Sequence, residues 1–186
     1  MDDRQLIALY NSRSETAITE SDKKYGKYLR YIANNILRDL QDTEECVSDT
    51  YLSAWNTIPP QNPSRLSTYL GKITRNLALD RYRVNTAEKR GGGQVMASLS
   101  ELSECIGQPD SCDNVADGIV LANALNGFLA ELQSDDRKIF VQRYWYFCQV
   151  NEIAEDLGMS QSKVKMSLLR SRNKLRQLLE KEGVAV

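Results

Sequence analysis

The stretch Val150–Ser167, VNEIAEDLGMSQSKVKMS, decides the reading of this chain. Ile153 and Leu157 lie one helical turn apart and face inward, and Ala154 is small where two helices must approach closely. Gly158 stands where a helix ends in a left-handed residue. Ser160 is placed to cap the helix that follows, and Val164 to pack back onto the first. A helix, a glycine turn and a capped second helix have the spacing of a helix-turn-helix, whose second helix enters the major groove of DNA.

Followed further, the second helix carries an apolar stripe of Val164, Leu168, Leu175, Leu178 and Leu179. Ser162, Met166, Leu169, Arg170 and Asn173 lie opposite, flanked by Lys163, Lys165, Arg172, Lys174 and Arg176. Six basic residues and no acid fall between Met159 and Leu178. A solvated basic face on an ordinary helical hairpin has this composition too. The turn, the small residue and the one-sided charge together favour DNA, where phosphate neutralisation supplies much of the affinity.

Upstream, the periodicity stays helical. Leu121, Leu125, Phe128, Leu129 and Leu132 mark one face, and a helix capped by Ser134 carries Ile139, Phe140, Tyr144 and Phe147. Further helices are predicted near 150–157 and 161–181. From Gly91 to Asp117 the chain is rich in Gly, Ser and acid with no sustained period, and reads as a flexible linker. The N-terminal block reads as helices near 3–11, 15–40, 43–57 and 65–85, with Ser14 and Asp42 as N-caps. Pro59, Pro60 and Pro63 close the third helix. The fold class is therefore all-α: two small helical domains, 1–90 and 118–186, joined by the linker 91–117.

Two helices of the first block carry further candidates. In the third, Val47, Tyr51, Ala54, Trp55 and Ile58 share one face, while Asp42, Glu45 and Asp49 stack on the other with no basic residue at i+4. The stripe suits either a plain solvent face with acid near the helix start or a docking surface for a basic partner. The fourth, LSTYLGKITRNLALDRYR (Leu66–Arg83), buries Leu66, Leu70, Ile73 and Leu77 and displays Tyr69, Lys72, Arg75, Asn76, Arg81, Tyr82 and Arg83. Cations interleaved with aromatics and an amide suit single-stranded nucleic acid, and equally a core helix with a basic outer side.

The charge distribution agrees with two blocks. The 186 residues sum to a net charge of −1, which conceals +2 over residues 1–90, −5 over 91–117 and +2 over 118–186. The acids of the middle strip are Glu101, Glu104, Asp110, Asp113 and Asp117. Four cysteines (Cys46, Cys105, Cys112, Cys148) and no histidine give no zinc-knuckle spacing, so free thiols and no metal or other cofactor are expected. No signal peptide and no apolar run of about 18 residues is present, which predicts a cytoplasmic protein without membrane insertion.

Asp42–Trp55 (DTEECVSDTYLSAW), Tyr69–Arg83 (YLGKITRNLALDRYR) and Val164–Arg176 (VKMSLLRSRNKLR), in this order, resemble the extracytoplasmic-function group of sigma-70 factors. The resemblance implies that the first block is region two, which binds core RNA polymerase and reads the minus-ten element, and the second is region four, which reads the minus-thirty-five element. It implies core polymerase, promoter DNA and an anti-sigma factor as partners. Carried onto this chain, Asp42, Glu45 and Asp49 match the core-binding helix. Asn76 matches an amide that helps hold a flipped-out minus-ten base near the loop Pro59–Arg65, with Tyr69, Lys72 and Arg75 on the same helix. Lys165, Leu169 and Arg170 match base-reading positions, and Ser162 and Lys163 match backbone contacts. Gly71 departs from the family's aromatic pattern and removes a possible stacking ring. Gln149 replaces the usual Ser or Thr before the helix-turn-helix.

A free-standing operator-binding regulator is the main alternative. It explains the helix-turn-helix but leaves the acidic stripe and the basic-aromatic helix without a role, and no heptad seam for a dimer is visible. An enzyme has less support, since no histidine, no GxxxxGK[ST] and no GxSxG motif is present.

Overall fold

A computed structural model describes residues 1–88, 93–106 and 115–181, and the chain divides into two units, Met1–Gly91 and Gly92–Val186. Every regular element among the described residues is an α-helix.

Unit 1 holds α1 (Asp3–Asn11), α2 (Thr16–Leu37), α3 (Leu40–Thr57) and α4 (Leu66–Glu88). Its core gathers Leu6, Ile7 and Tyr10 of α1 with Leu29, Ile32 and Ile36 of α2, Val47, Tyr51 and Ala54 of α3, and Leu66 and Leu70 of α4. The expected caps shift by a few residues. Asp39, rather than Asp42, caps α3 by accepting the Asp42 N–H at 2.9 Å, and α2 starts after Glu15 without a side-chain cap. On α4, Leu66 and Leu70 are fully buried, but Ile73 and Leu77 are only half-buried; Gly71, Thr74 and Ala78 take the inner line instead. The reason is close helix approach. Thr50 Oγ1 lies 3.0 Å from Thr74 Oγ1 across the α3–α4 seam, and the Cys46 thiol donates to the Thr74 carbonyl at 3.6 Å. Small side chains permit this approach, and the largest apolar ones sit beside it.

The α1 side chain of Asp3 ties unit 1 together. Its carboxylate accepts from Lys24 Nζ at 2.7 Å, from the Tyr25 hydroxyl, and from the Leu66 backbone N–H at 2.9 Å, where it satisfies an orphan donor at the start of α4. These donors, Lys24 foremost, hold its pKa down at about 2.

Unit 2 holds α5 (Gln94–Ile106), α6 (Val115–Glu131), α7 (Ser134–Tyr144), α8 (Val150–Asp156) and α9 (Gln161–Lys181). Phe128, Leu132, Ile139, Phe140, Tyr144, Ile153, Val164, Leu168, Leu175 and Leu179 form one core, with the Phe128 and Phe140 rings edge to face at 5.1 Å. Cys148 is a buried free thiol here, as Cys46 is in unit 1; the side chains of Cys105 and Cys112 lie outside the described residues. Ser134 begins α7 but Gln133 is the capping position, without a side-chain bond.

One segment differs from its expectation. Residues 94–106 read as linker, yet they form α5 and pack on unit 2. Val95 and Ser98 are buried and Leu102 packs on the core, an i, i+3, i+7 face that the serine-rich composition conceals. Residues 107–114, with Asp110 and Asp113, lie outside the described part of the chain.

Candidate nucleic-acid interface

The turn between α8 and α9 is built by the residues that announced it. Gly158 adopts φ 61°, and open space surrounds the position where a Cβ would sit, so glycine is required there for backbone conformation rather than room. Its N–H donates to the Glu155 carbonyl at 3.3 Å, and the Met159 N–H donates to Ala154 at 2.8 Å. That pair of bonds is a Schellman motif, which satisfies the last carbonyls of α8. Ser160 Oγ then accepts the Lys163 N–H at 3.2 Å, capping α9. Gln149 also fits its place: its N–H donates to Glu152 Oε2 at 2.6 Å, closing the start of α8. Ile153 and Ala154 are buried against Val164, while Leu157 is only half-buried.

With Val164, Leu168, Leu175 and Leu179 inside, the other side of α9 faces solvent. Ser162, Lys163, Lys165, Leu169 and Arg170 are all exposed, as are Met166 and Asn173. Exposed Met166 and Leu169 form a short apolar strip amid the cations of α9. Two grooves flank this face. One is lined by Glu131, Gln133, Asp136, Arg170 and Lys174, the other by Glu101, Lys165, Met166, Leu169 and Arg172.

The second groove contains a side-chain cluster that sequence reasoning missed. Arg143, on α7, is only 6 % exposed. Its Nη2 lies 2.7 Å from Glu101 Oε1, and its Nη1 donates to the Cys148 carbonyl at 3.2 Å. The Tyr144 hydroxyl donates to Glu101 Oε2 at 3.1 Å, and Arg172 Nη1 reaches Glu101 Oε2 at 3.3 Å and the Tyr144 oxygen at 2.9 Å. Burial pushes the Tyr144 hydroxyl up to about 12, so it remains a neutral donor. The available signal was the pairing of an acid with an arginine inside an apolar period, across more than forty residues of sequence.

In unit 1 the stripe of Asp42, Glu45 and Asp49 lies together on α3, as its spacing requires, but it has a basic partner. Arg81 of α4 lies across it, with Nη1 at 3.4 Å from Asp42 Oδ1 and 2.9 Å from Glu45 Oε2, and Nη2 at 3.4 Å from Asp49 Oδ2. Asn85 Nδ2 adds a bond to Asp42 Oδ2 at 3.0 Å. Arg81 therefore faces the acids rather than standing among the displayed cations of α4. The two outer carboxylates, Glu45 and Asp49, remain half-exposed.

Of the other α4 candidates, Lys72 and Asn76 are exposed one turn apart, and Gln61 and Asn62 in the preceding loop are exposed too. Tyr69 is half-buried and its hydroxyl is 2.7 Å from Thr57 Oγ1; Arg75 is half-buried, and burial lowers its pKa. Gly71 is not a vacated stacking position. It is buried, and a Cβ there would come within 2.8 Å of the Tyr28 hydroxyl oxygen.

A helix-turn-helix with a one-sided basic face, in a chain with a separate four-helix unit, defines a DNA-binding transcription protein. Residues 23–88 match sigma-70 region 2 and residues 122–175 match sigma-70 region 4. The chain belongs to the extracytoplasmic-function group of the sigma-70 family, and it serves promoter-specific transcription initiation. It is 26 % identical over 153 residues to the ECF RNA polymerase sigma factor SigL of Mycobacterium tuberculosis, covering 78 % of this chain and 79 % of that one. It is 21 % identical to SigM of Bacillus subtilis, over 84 % of this chain and 93 % of that one. It is 26 % identical to the RNA polymerase sigma factor CnrH of Cupriavidus metallidurans, over 97 % and 96 %. A solved structure of CnrH with the cytosolic domain of CnrY aligns over 96 % of this chain and 97 % of that one, at 23 % identity and a TM-score of 0.43. No described helix is long and apolar enough to cross a membrane.

Proposed function

We propose that unit 1 binds core RNA polymerase through Asp42, Glu45 and Asp49 and reads the minus-ten element through Lys72 and Asn76, with Tyr69 and Arg75 supporting them. Unit 2 reads the minus-thirty-five element through Lys165, Leu169 and Arg170, while Ser162 and Lys163 hold the phosphate backbone. The observation that carries this reading is the exposure of all five α9 residues on one side of a helix whose start is fixed by the Gly158 turn and the Ser160 cap. The domain limits that go with it are 1–90 for region two and 118–186 for region four, with the core contacts of region four extended by α5. The protein acts in the cytoplasm, has no catalytic step of its own, and is held in check by an anti-sigma factor.

Footprinting tests this reading. A promoter fragment should be protected by the protein together with core polymerase and left open by the protein alone at physiological salt. Tight protection of a duplex by the protein alone, unchanged by core enzyme, would indicate an operator-binding regulator instead.

A further inference from the structure

We propose that α5 is an acidic latch on the recognition helix, so that in the free protein it competes with DNA for α9. The inference rests on the reading of α9 as the DNA-facing helix. Three observations point to it. Glu101 of α5 lies in the groove that Lys165, Met166, Leu169 and Arg172 line, on the flank of the proposed reading face. Its carboxylate takes two guanidiniums, Arg143 at 2.7 Å and Arg172 at 3.3 Å, which is the arrangement a DNA phosphate would accept in its place. One turn further along, Arg176 Nη2 donates to the Glu104 carbonyl at 2.6 Å, so a second α9 cation is also turned toward α5.

The packing of α5 is that of a removable part. Its buried face is short, with Val95 and Leu102 as apolar anchors, and the Ser98 hydroxyl is buried without a hydrogen-bond partner among the described residues. An unsatisfied buried hydroxyl weakens the contact that encloses it. Release of α5 would expose Arg143 and Arg172 together beside Lys165, replacing one carboxylate by phosphate oxygens. Docked, α5 sets the Glu101 carboxylate against the flank of the helix that DNA must approach, and the backbone carbonyl of Glu104 occupies a second α9 cation. A segment that joins the two units is suited to this task, because any partner that draws the linker away frees the face.

The test uses the full chain and a randomised pool of duplexes about 30 base pairs long at about 50 mM salt, where phosphate contacts dominate affinity. Glu101→Gln keeps an acceptor for Arg143 but removes the charge. It should bind the pool at least about fivefold more tightly than the unaltered protein, the low end of coupling between two sites on one molecule. In parallel, hydrogen exchange of the unaltered protein should speed up in α5 when the pool is added and slow down in α9. The exchange measurement decides the matter should Glu101→Gln disturb the fold of unit 2. A Lys163→Glu, Arg170→Glu double variant separates the two layers of the inference. If that variant binds the pool normally, DNA is held elsewhere, and the functional reading falls with the latch. If it loses binding while Glu101→Gln binds no better than the original and α5 exchange is unchanged, the latch alone is overturned.

Discussion

Arg81 Nη1 stands 2.9 Å from Glu45 Oε2, and the same guanidinium spans Asp42 and Asp49, so one α4 cation bridges the whole acidic stripe of α3. The stripe is thus a fixed, partly neutralised array, oriented before any partner arrives. Three carboxylates against one guanidinium leave the array with an excess of two negative charges, and the proposed docking role predicts a basic partner surface for it.

Arg81→Ala should destabilise unit 1 modestly, since half-exposed pairs contribute about 0–1 kcal/mol each and the three acids would then repel one another. A thermal melt at low salt should show the loss, and added salt should narrow it. Association with core polymerase should persist, because the acids remain. Reversing Glu45 and Asp49 to Lys should instead abolish most of that association in a pull-down while the helical signal is kept. Unchanged core affinity in the double reversal would remove the docking role.

The Asp3 carboxylate gives unit 1 an acid-sensitive clasp. Its folded pKa, about 2, lies below the ordinary 3.8, so the stabilisation it provides is present above about pH 4 and is lost as pH falls toward 2. Asp3→Asn should therefore melt earlier than the original protein at neutral pH, and the two melting curves should converge near pH 2. Parallel curves at every pH would contradict the assignment of Lys24 and Tyr25 as the cause.

Gly158→Ala isolates the cost of the turn. No atom obstructs the added methyl, so the penalty is the left-handed backbone alone, about 1–2 kcal/mol, or a fall in Tm of several degrees for a unit of this size. Gly158→Asn should cost less, since asparagine tolerates that conformation better. Calorimetry on the three proteins checks the order.

Much of this was legible in the sequence, and the exceptions share a cause. The helix-turn-helix could be read because its signals are local: a glycine at φ 61°, a serine cap and an apolar stripe, all within about twenty residues. The acidic stripe was legible as a stripe, yet its partner Arg81 lies more than thirty residues away and faces it only through the α3–α4 packing. Gly71 reads as a missing ring until Tyr28 is seen against it. The α5 helix escaped for a related reason: its composition is that of a linker, and the residues that explain Glu101 are Arg143, Tyr144 and Arg172, on two other helices. Local chemistry is written along the chain, whereas pairing across helices is fixed by the packing.

Arg170 and Lys163 should separate base reading from phosphate binding. Arg170→Ala should weaken holoenzyme binding chiefly at the preferred promoter and relax choice at one or two upstream base pairs, since a bidentate arginine–guanine contact discriminates by about 1–3 kcal/mol. Lys163→Ala should weaken all sequences alike and reduce the salt slope by about one. Titrations across salt, on the preferred promoter and on single-base variants, distinguish the two. Uniform losses from both would move the reading face elsewhere on α9.

Run-off transcription with bacterial core polymerase and a promoter library randomised at both elements tests the central claim most directly. The account predicts transcripts that depend on this protein and come from promoters sharing two motifs. It further predicts that Arg170→Ala alters selection only at the upstream motif and Asn76→Ala only at the downstream one. Transcription that is independent of the protein, or selection that neither substitution changes, would contradict it.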